Sequence, residues 1–223
     1  MIGDYICNII SNIFTPTGAS WAIVLFTAYF LRKQIKDSNK FNQEAHEEHR
    51  RATACDVIHK WSINLTREES VAKKVVEKFN DHQIKKLLEG NRFAIRFIDY
   101  HKLQTIFPNN RNRNVYGNKH VLLTIEEVSL LRWYIVKYLN NLESTLLVCK
   151  QGIADVDVFI EQYKYQFNSP KDVAALRKYR ESVGGIDSYP AIEWFCILMD
   201  KKEKERILEK DRVDSHKGKG FSF

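Results

Sequence analysis

The stretch TIEEVSLLRWYIVKYLNNLESTLLVC, residues 124–149, decides the fold class. Thr124 with Glu127 three residues later is a capping box, in which hydroxyl and carboxylate each take one of the amides that a first helical turn leaves without a partner. Beyond it Val128, Leu131, Ile135, Tyr138 or Leu139, Leu142, Leu146 and Cys149 recur at steps of three and four, which is one face of an α-helix. The stripe holds for about six turns, long enough to be the central strut of a bundle.

The same spacing continues on both sides. Residues 108–120 read as a loop, with five Asn, one Pro and one Gly in thirteen positions. Before it, Phe93, Ile95, Phe97, Ile98, Leu103 and Ile106 are apolar enough for a core, and Ile84, Leu87 and Leu88 form a short helix that Gly90 ends. Thr66 and Glu69 make a second capping box ahead of Val71, Val75 and Phe79, and Ala54, Ile58, Trp61 and Leu65 line one face of an earlier helix. On the C-terminal side Val156, Phe159, Tyr163 and Phe167 share a face. Ser169-Pro170 opens a helix that closes at Gly184-Gly185. Pro190 starts the last helix, with Ile192, Phe195, Cys196 and Met199 inward and a charged extension to Arg212. With only 9 Gly and 4 Pro in 223 residues, the many tight turns of an all-β fold are missing. The expectation is all-α, with a bundle of about six helices.

The other decisive stretch lies at the start. Residues 5–31 carry no charge, Thr15-Pro16 reads as N-cap and first helical position, and Arg32-Lys33 ends the run. A helix apolar on every face belongs in lipid or inside a large protein, and this chain is too small to enclose one. Residues 16–31 span about 24 Å at 1.5 Å per residue, short of a hydrocarbon core of about 30 Å. Snorkelling by Arg32 and Lys33 offsets part of the deficit, and residues 5–14 either extend the helix or lie in the opposite interface. The expected organisation is an interfacial segment at 1–15, a transmembrane helix at 16–32, a charged linker or helix at 33–50, an all-helical domain at 51–212 and a disordered tail at 213–223. Only Asp4 precedes the span, whereas Arg32, Lys33, Lys36 and Lys40 follow it against Asp37. The positive-inside rule therefore places the N-terminus outside and the main domain in the cytoplasm.

Cysteine and charge narrow the partners. Cys7, Cys55, Cys149 and Cys196 are far apart with no Cys-x-x-Cys pair, so neither a zinc ribbon nor a disulfide framework is indicated. The last three are read as members of apolar stripes in a reducing compartment. A net charge of +7 that falls beside the span and in residues 202–219 suits anionic lipid headgroups. No nucleic-acid fold is legible, so nucleic acid is not an expected partner. Gly18, Ala19, Ser20 and Ala22 are small enough for close helix packing, which makes homo-oligomerisation an expectation.

Three constellations could carry chemistry. Asn141 and Glu143 are polar residues on the apolar long helix, read as a paired structural site rather than a base. His46 and His49 share a helix face near Glu47 and His59, but the spacing is not His-Glu-x-x-His, and no metal or cofactor is expected. Arg113-Asn114 followed by His120 resembles the Arg-polar-x-His motif of helical ribonucleases of the HEPN class, with Arg96 to His101 as a second match in which Phe97 replaces the polar residue. That resemblance implies a membrane-tethered ribonuclease in which Arg113 steadies phosphate charge and His120 moves a proton.

A broader resemblance covers most of residues 20–170. The apolar span, the charged linker, Arg51-Ala-Thr-Ala54 with Ile58 and Trp61, and Leu139-Asn-Asn-Leu-Glu143 followed by Gly152-Ile-Ala-Asp155 resemble a bacterial family of single-span proteins catalogued as a domain of unknown function. The resemblance implies a bacterial inner-membrane location and a helical cytosolic domain, and it brings no catalytic residues. The expected role is an interaction or scaffold module at the cytosolic face, holding a protein partner or a second copy. The alternatives are the ribonuclease and an effector that perturbs the membrane, as in phage defence.

Overall fold

Of the 223 residues, the computed structural model describes 16–107, 119–167 and 174–217, with the backbone alone for 16–22 and 213–217. Ser169-Pro170, Arg113 and Cys7 thus lie outside the described residues. The chain divides into two compact units, 1–49 and 50–223.

Helix α1, Pro16–Asn64, is continuous through residues 33–50, which the sequence left as linker or helix. Between Ala19 and Asn64 there is no Gly or Pro to stop it, and Lys40 pairs with Glu44 one turn on. In the first unit every side chain from Ile23 to His49 is exposed.

The second unit holds the core. Helices α2 (Arg67–Val76), α3 (Asp81–Glu89), α4 (Phe97–Lys102), α5 (Ile125–Lys150), α6 (Val156–Phe167), α7 (Arg177–Ser182) and α8 (Pro190–Lys217) follow the end of α1. Helix α5 is the strut: α8 and α2 both pack along it. Val128, Leu131, Ile135, Tyr138, Leu139, Leu142, Leu146 and Cys149 are all buried. Its start is a complete capping box of Thr124 and Glu127. Ala54 and Trp61 bury the last turns of α1, with the Trp61 ring edge-on to Tyr163 of α6 at 5.2 Å. Fully burying one such aromatic or aliphatic side chain is worth about 2 kcal/mol.

The structure departs from the sequence reading at several points. Asn80 and Gln83 form a complete capping box for α3, whereas at α2 the Thr66 hydroxyl accepts from the Glu69 amide but the Glu69 carboxylate turns inward. It is fully buried and ion-paired with Lys137 of α5 at 2.6 Å. Cys55 is exposed rather than part of a stripe. A further departure is a two-stranded antiparallel sheet, β1 (Ala94–Arg96) with β2 (His120–Leu122), in an otherwise helical unit. His120, read as the end of a loop, opens β2. Ile95 and Val121 point into the core while Arg96 and His120 stay exposed, the alternation a strand imposes. Helix α8 runs to Lys217, beyond Arg212 where a tail was expected to begin.

Candidate functional site

The most unusual surface is in the first unit. Ile23 is 67% exposed, Leu25 69%, Phe26 66% and Tyr29 65%, and Val24, Phe30 and Leu31 are exposed as well. These neighbours point around the whole helix circumference, because successive residues turn by about 100°. Within the segment the rings of Phe26 and Tyr29 each contact that of Phe30. An uncovered apolar surface of this kind marks a partner or a membrane. No helix among the described residues is long and apolar enough to cross a membrane.

The structure sorts the sequence candidates in the second unit. Glu143 reaches from α5 to the start of α8, where its two oxygens accept from the Ala191 amide at 2.7 Å and the Ile192 amide at 2.9 Å. It is a cap supplied by another helix. Asn141 offers its backbone carbonyl to the Thr145 hydroxyl at 2.8 Å. His46, His49, Glu47 and His59 are exposed. Among the described residues, no group of three or more His, Cys, Asp or Glu is placed to hold a metal ion.

His120 has a different neighbour from the expected one. Arg113 is outside the described residues, and the residue that faces His120 across the ladder is Arg96. Both line a cleft of about 680 Å³ with Lys78, Phe79, Asn80, Gln83, Ile95 and Asp99. His101 is turned to stack on Phe97, ring centroids 6.3 Å apart. The organiser of the cleft is Asp99, which the sequence reading missed. Its side chain is 5% exposed, and one oxygen sits 2.7 Å from both Nε and Nη2 of Arg96 while the other is 3.7 Å from Lys78. The available signal was a lone carboxylate inside the apolar run Phe97-Ile98-Asp99-Tyr100. Lys102 stands beside Lys78, whose N–H favours Lys102 as the neutral, accepting amine and whose charge repels its ammonium, so the Lys102 pKa lies below its ordinary value, with Arg96 adding repulsion.

A second buried cation, Arg180, was also missed. It is 1% exposed on α7. Nε donates to the Ala175 carbonyl at 3.0 Å, Nη1 is 2.7 Å from Glu193, and Nη2 is 3.5 Å from Cys196 Sγ. Ala175 and Leu176, just before α7, both have positive φ, 46° and 57°. Arg180 thus fastens a strained turn to α8. Comparison with known proteins finds no family model, no curated protein and no solved structure that matches the chain.

Proposed function

We propose that the protein is anchored in a membrane by the apolar start of α1 and presents its helical unit as an interaction module at the cytosolic face. The observation that carries this reading is the ring of exposed Ile23, Val24, Leu25, Phe26, Phe30 and Leu31 immediately before Arg32-Lys33. Moving six such side chains out of water is worth on the order of 10 kcal/mol, at about 2 kcal/mol each, as much as the whole net stability of an ordinary domain. Arg32 and Lys33 then lie at headgroup depth, where their charges meet anionic phosphates. The sequence before residue 16 is uncharged back to Tyr5, so no charge interrupts the run on that side. The family resemblance drawn from residues 51–61 and 139–155 favours the same location, the bacterial inner membrane.

The test is carbonate extraction of membranes from cells expressing the full chain, alongside a chain that starts at Ser38. The full chain stays in the pellet and the shortened chain is released. Release of the full chain into the carbonate supernatant overturns the anchor.

A further inference from the structure

The charges around Asp99 do not balance. Lys78 and Arg96 both pair with this one carboxylate, and Lys102 crowds Lys78. Among the described residues no second carboxylate pairs with any of the three, so three cations less one anion leave two positive charges. Lys78 and Arg96 line the cleft and Lys102 stands beside Lys78; like charges this close repel, and an anion that joins them relieves the repulsion. The wall is also built stiffly. Asp99 is buried and holds Arg96 by Nε and Nη2, leaving the Nη1 edge of the guanidinium turned from the carboxylate. Asn80 and Gln83 lock each other in the capping box, and Gln83 Nε2 donates to the Ala94 carbonyl at 2.9 Å, tying α3 to β1. Buried Phe79 and Ile95 form the floor. Opposite Arg96 across the ladder, His120 adds a ring nitrogen at the rim.

We infer that this cleft is a binding site for a phosphate monoester, with Arg96 as the planar fork, Lys78 and Lys102 as point charges and His120 as a further donor. A phosphate monoester carries close to two negative charges at neutral pH and three acceptor oxygens, which matches the surplus in charge and in donors. A carboxylate ligand, with one charge and two oxygens, leaves one cation unmatched. The arrangement follows the usual division between guanidinium and ammonium in phosphate recognition. The site is independent of the anchor and stands whether or not α1 enters a membrane.

The experiment is isothermal titration calorimetry of the full chain in a nonionic detergent, with inorganic phosphate as titrant and ionic strength held constant with chloride. Saturable binding with a Kd below about 1 mM is expected. Arg96→Gln and Lys102→Gln each weaken it by about 10-fold or more, while Lys201→Gln on the exposed face of α8 leaves it unchanged. Lys102 is exposed, so its variant keeps the test valid even where Arg96→Gln perturbs folding. Absence of saturable heat up to about 10 mM phosphate, or equal affinity in the Lys102→Gln and Lys201→Gln proteins, overturns the site. The source of the phosphate is read by repeating the titration with the chain in phosphatidylcholine vesicles with and without phosphatidic acid. Loss of phosphate binding only with phosphatidic acid supports the site and names a lipid headgroup. Unchanged binding supports it and names a soluble ester.

Discussion

Glu143 is the residue whose removal should tell most about how the second unit is held together. At the start of α8, Pro190 has no amide proton, and the Glu193 amide already has the Tyr189 carbonyl at 3.1 Å. Only the Ala191 and Ile192 amides are left without an intrahelical partner, and both residues are fully buried. The two oxygens of Glu143 take them, one each, at 2.7 and 2.9 Å. In Glu143→Ala both amides stay buried and unmet, at roughly 1–3 kcal/mol for each, and the favourable charge at the helix N-terminus is lost too. Water entering the vacated space recovers part of this, so about 3 kcal/mol is expected, or a fall of about 6–12 °C in Tm for a unit of this size. Glu143→Gln keeps one acceptor and turns a donor towards the other amide, for a fall of at least half as much. Thermal unfolding of the full chain in mild detergent, followed by far-ultraviolet circular dichroism, measures both. A Tm for Glu143→Ala within about 2 °C of the parent would refute the cross-helix cap, and with it the structural reading of the Asn141–Glu143 pair.

The other predictions concern Arg180, its strained turn and the thiols. Arg180→Met removes the guanidinium from Glu193 and from the Ala175 carbonyl. It should cost about 3–5 kcal/mol, with part recovered in Arg180→Met/Glu193→Leu; equal melting of the single and double variants counts against a buried pair. Ala175→Gly relieves a positive φ of 46° and should raise stability by about 0.5–1 kcal/mol, checked in the same melting assay, where any fall in Tm contradicts the strain. In a Cys7→Ser background, exposed Cys55 should react with a disulfide reagent at pH 8 while buried Cys149 and half-buried Cys196 wait for denaturant. Burial pushes both of those thiols up to about 11 from an ordinary value of 9.0. Because the folded values lie above the unfolded one, their contribution to stability is complete below pH 9 and is lost as pH rises through 11. Tm should be level from pH 7 to 8.5 and fall by pH 10.5; a rise over that range contradicts the sign.

How much of this was legible depended on whether a feature repeats along the chain. The buried apolar positions of α5 were readable because they recur at steps of three and four residues, and burial of one face is what produced the repeat. Cap signals were legible in kind but not in outcome. Thr66 and Glu69 have the same spacing as Thr124 and Glu127, yet Glu69 lies within reach of Lys137, sixty-eight positions on, and takes the ion pair instead of closing its box. No local pattern carries that choice. The strands escaped for a different reason: Ala94–Arg96 and His120–Leu122 have three residues each, too few for an alternation to stand out from a helical step.

The charged cleft shows the same limit at the level of a site. Its members come from the end of α2's turn, β1, α4 and β2, so Lys78, Arg96, Asp99 and His120 are separated by eighteen, three and twenty-one positions. The Arg-polar-x-His pattern therefore links His120 to Arg113, whereas the ladder pairs it with Arg96. What sequence did offer was Asp99 itself, an ionisable residue between Ile98 and Tyr100 in a run otherwise fit for a core. Burying a carboxylate costs several kcal/mol unless cations and hydrogen bonds meet it, so such a residue predicts its own partners before they are located. Arg96, three positions earlier and hence within reach of the same helix face, was the first to look for; Lys78 needed the fold.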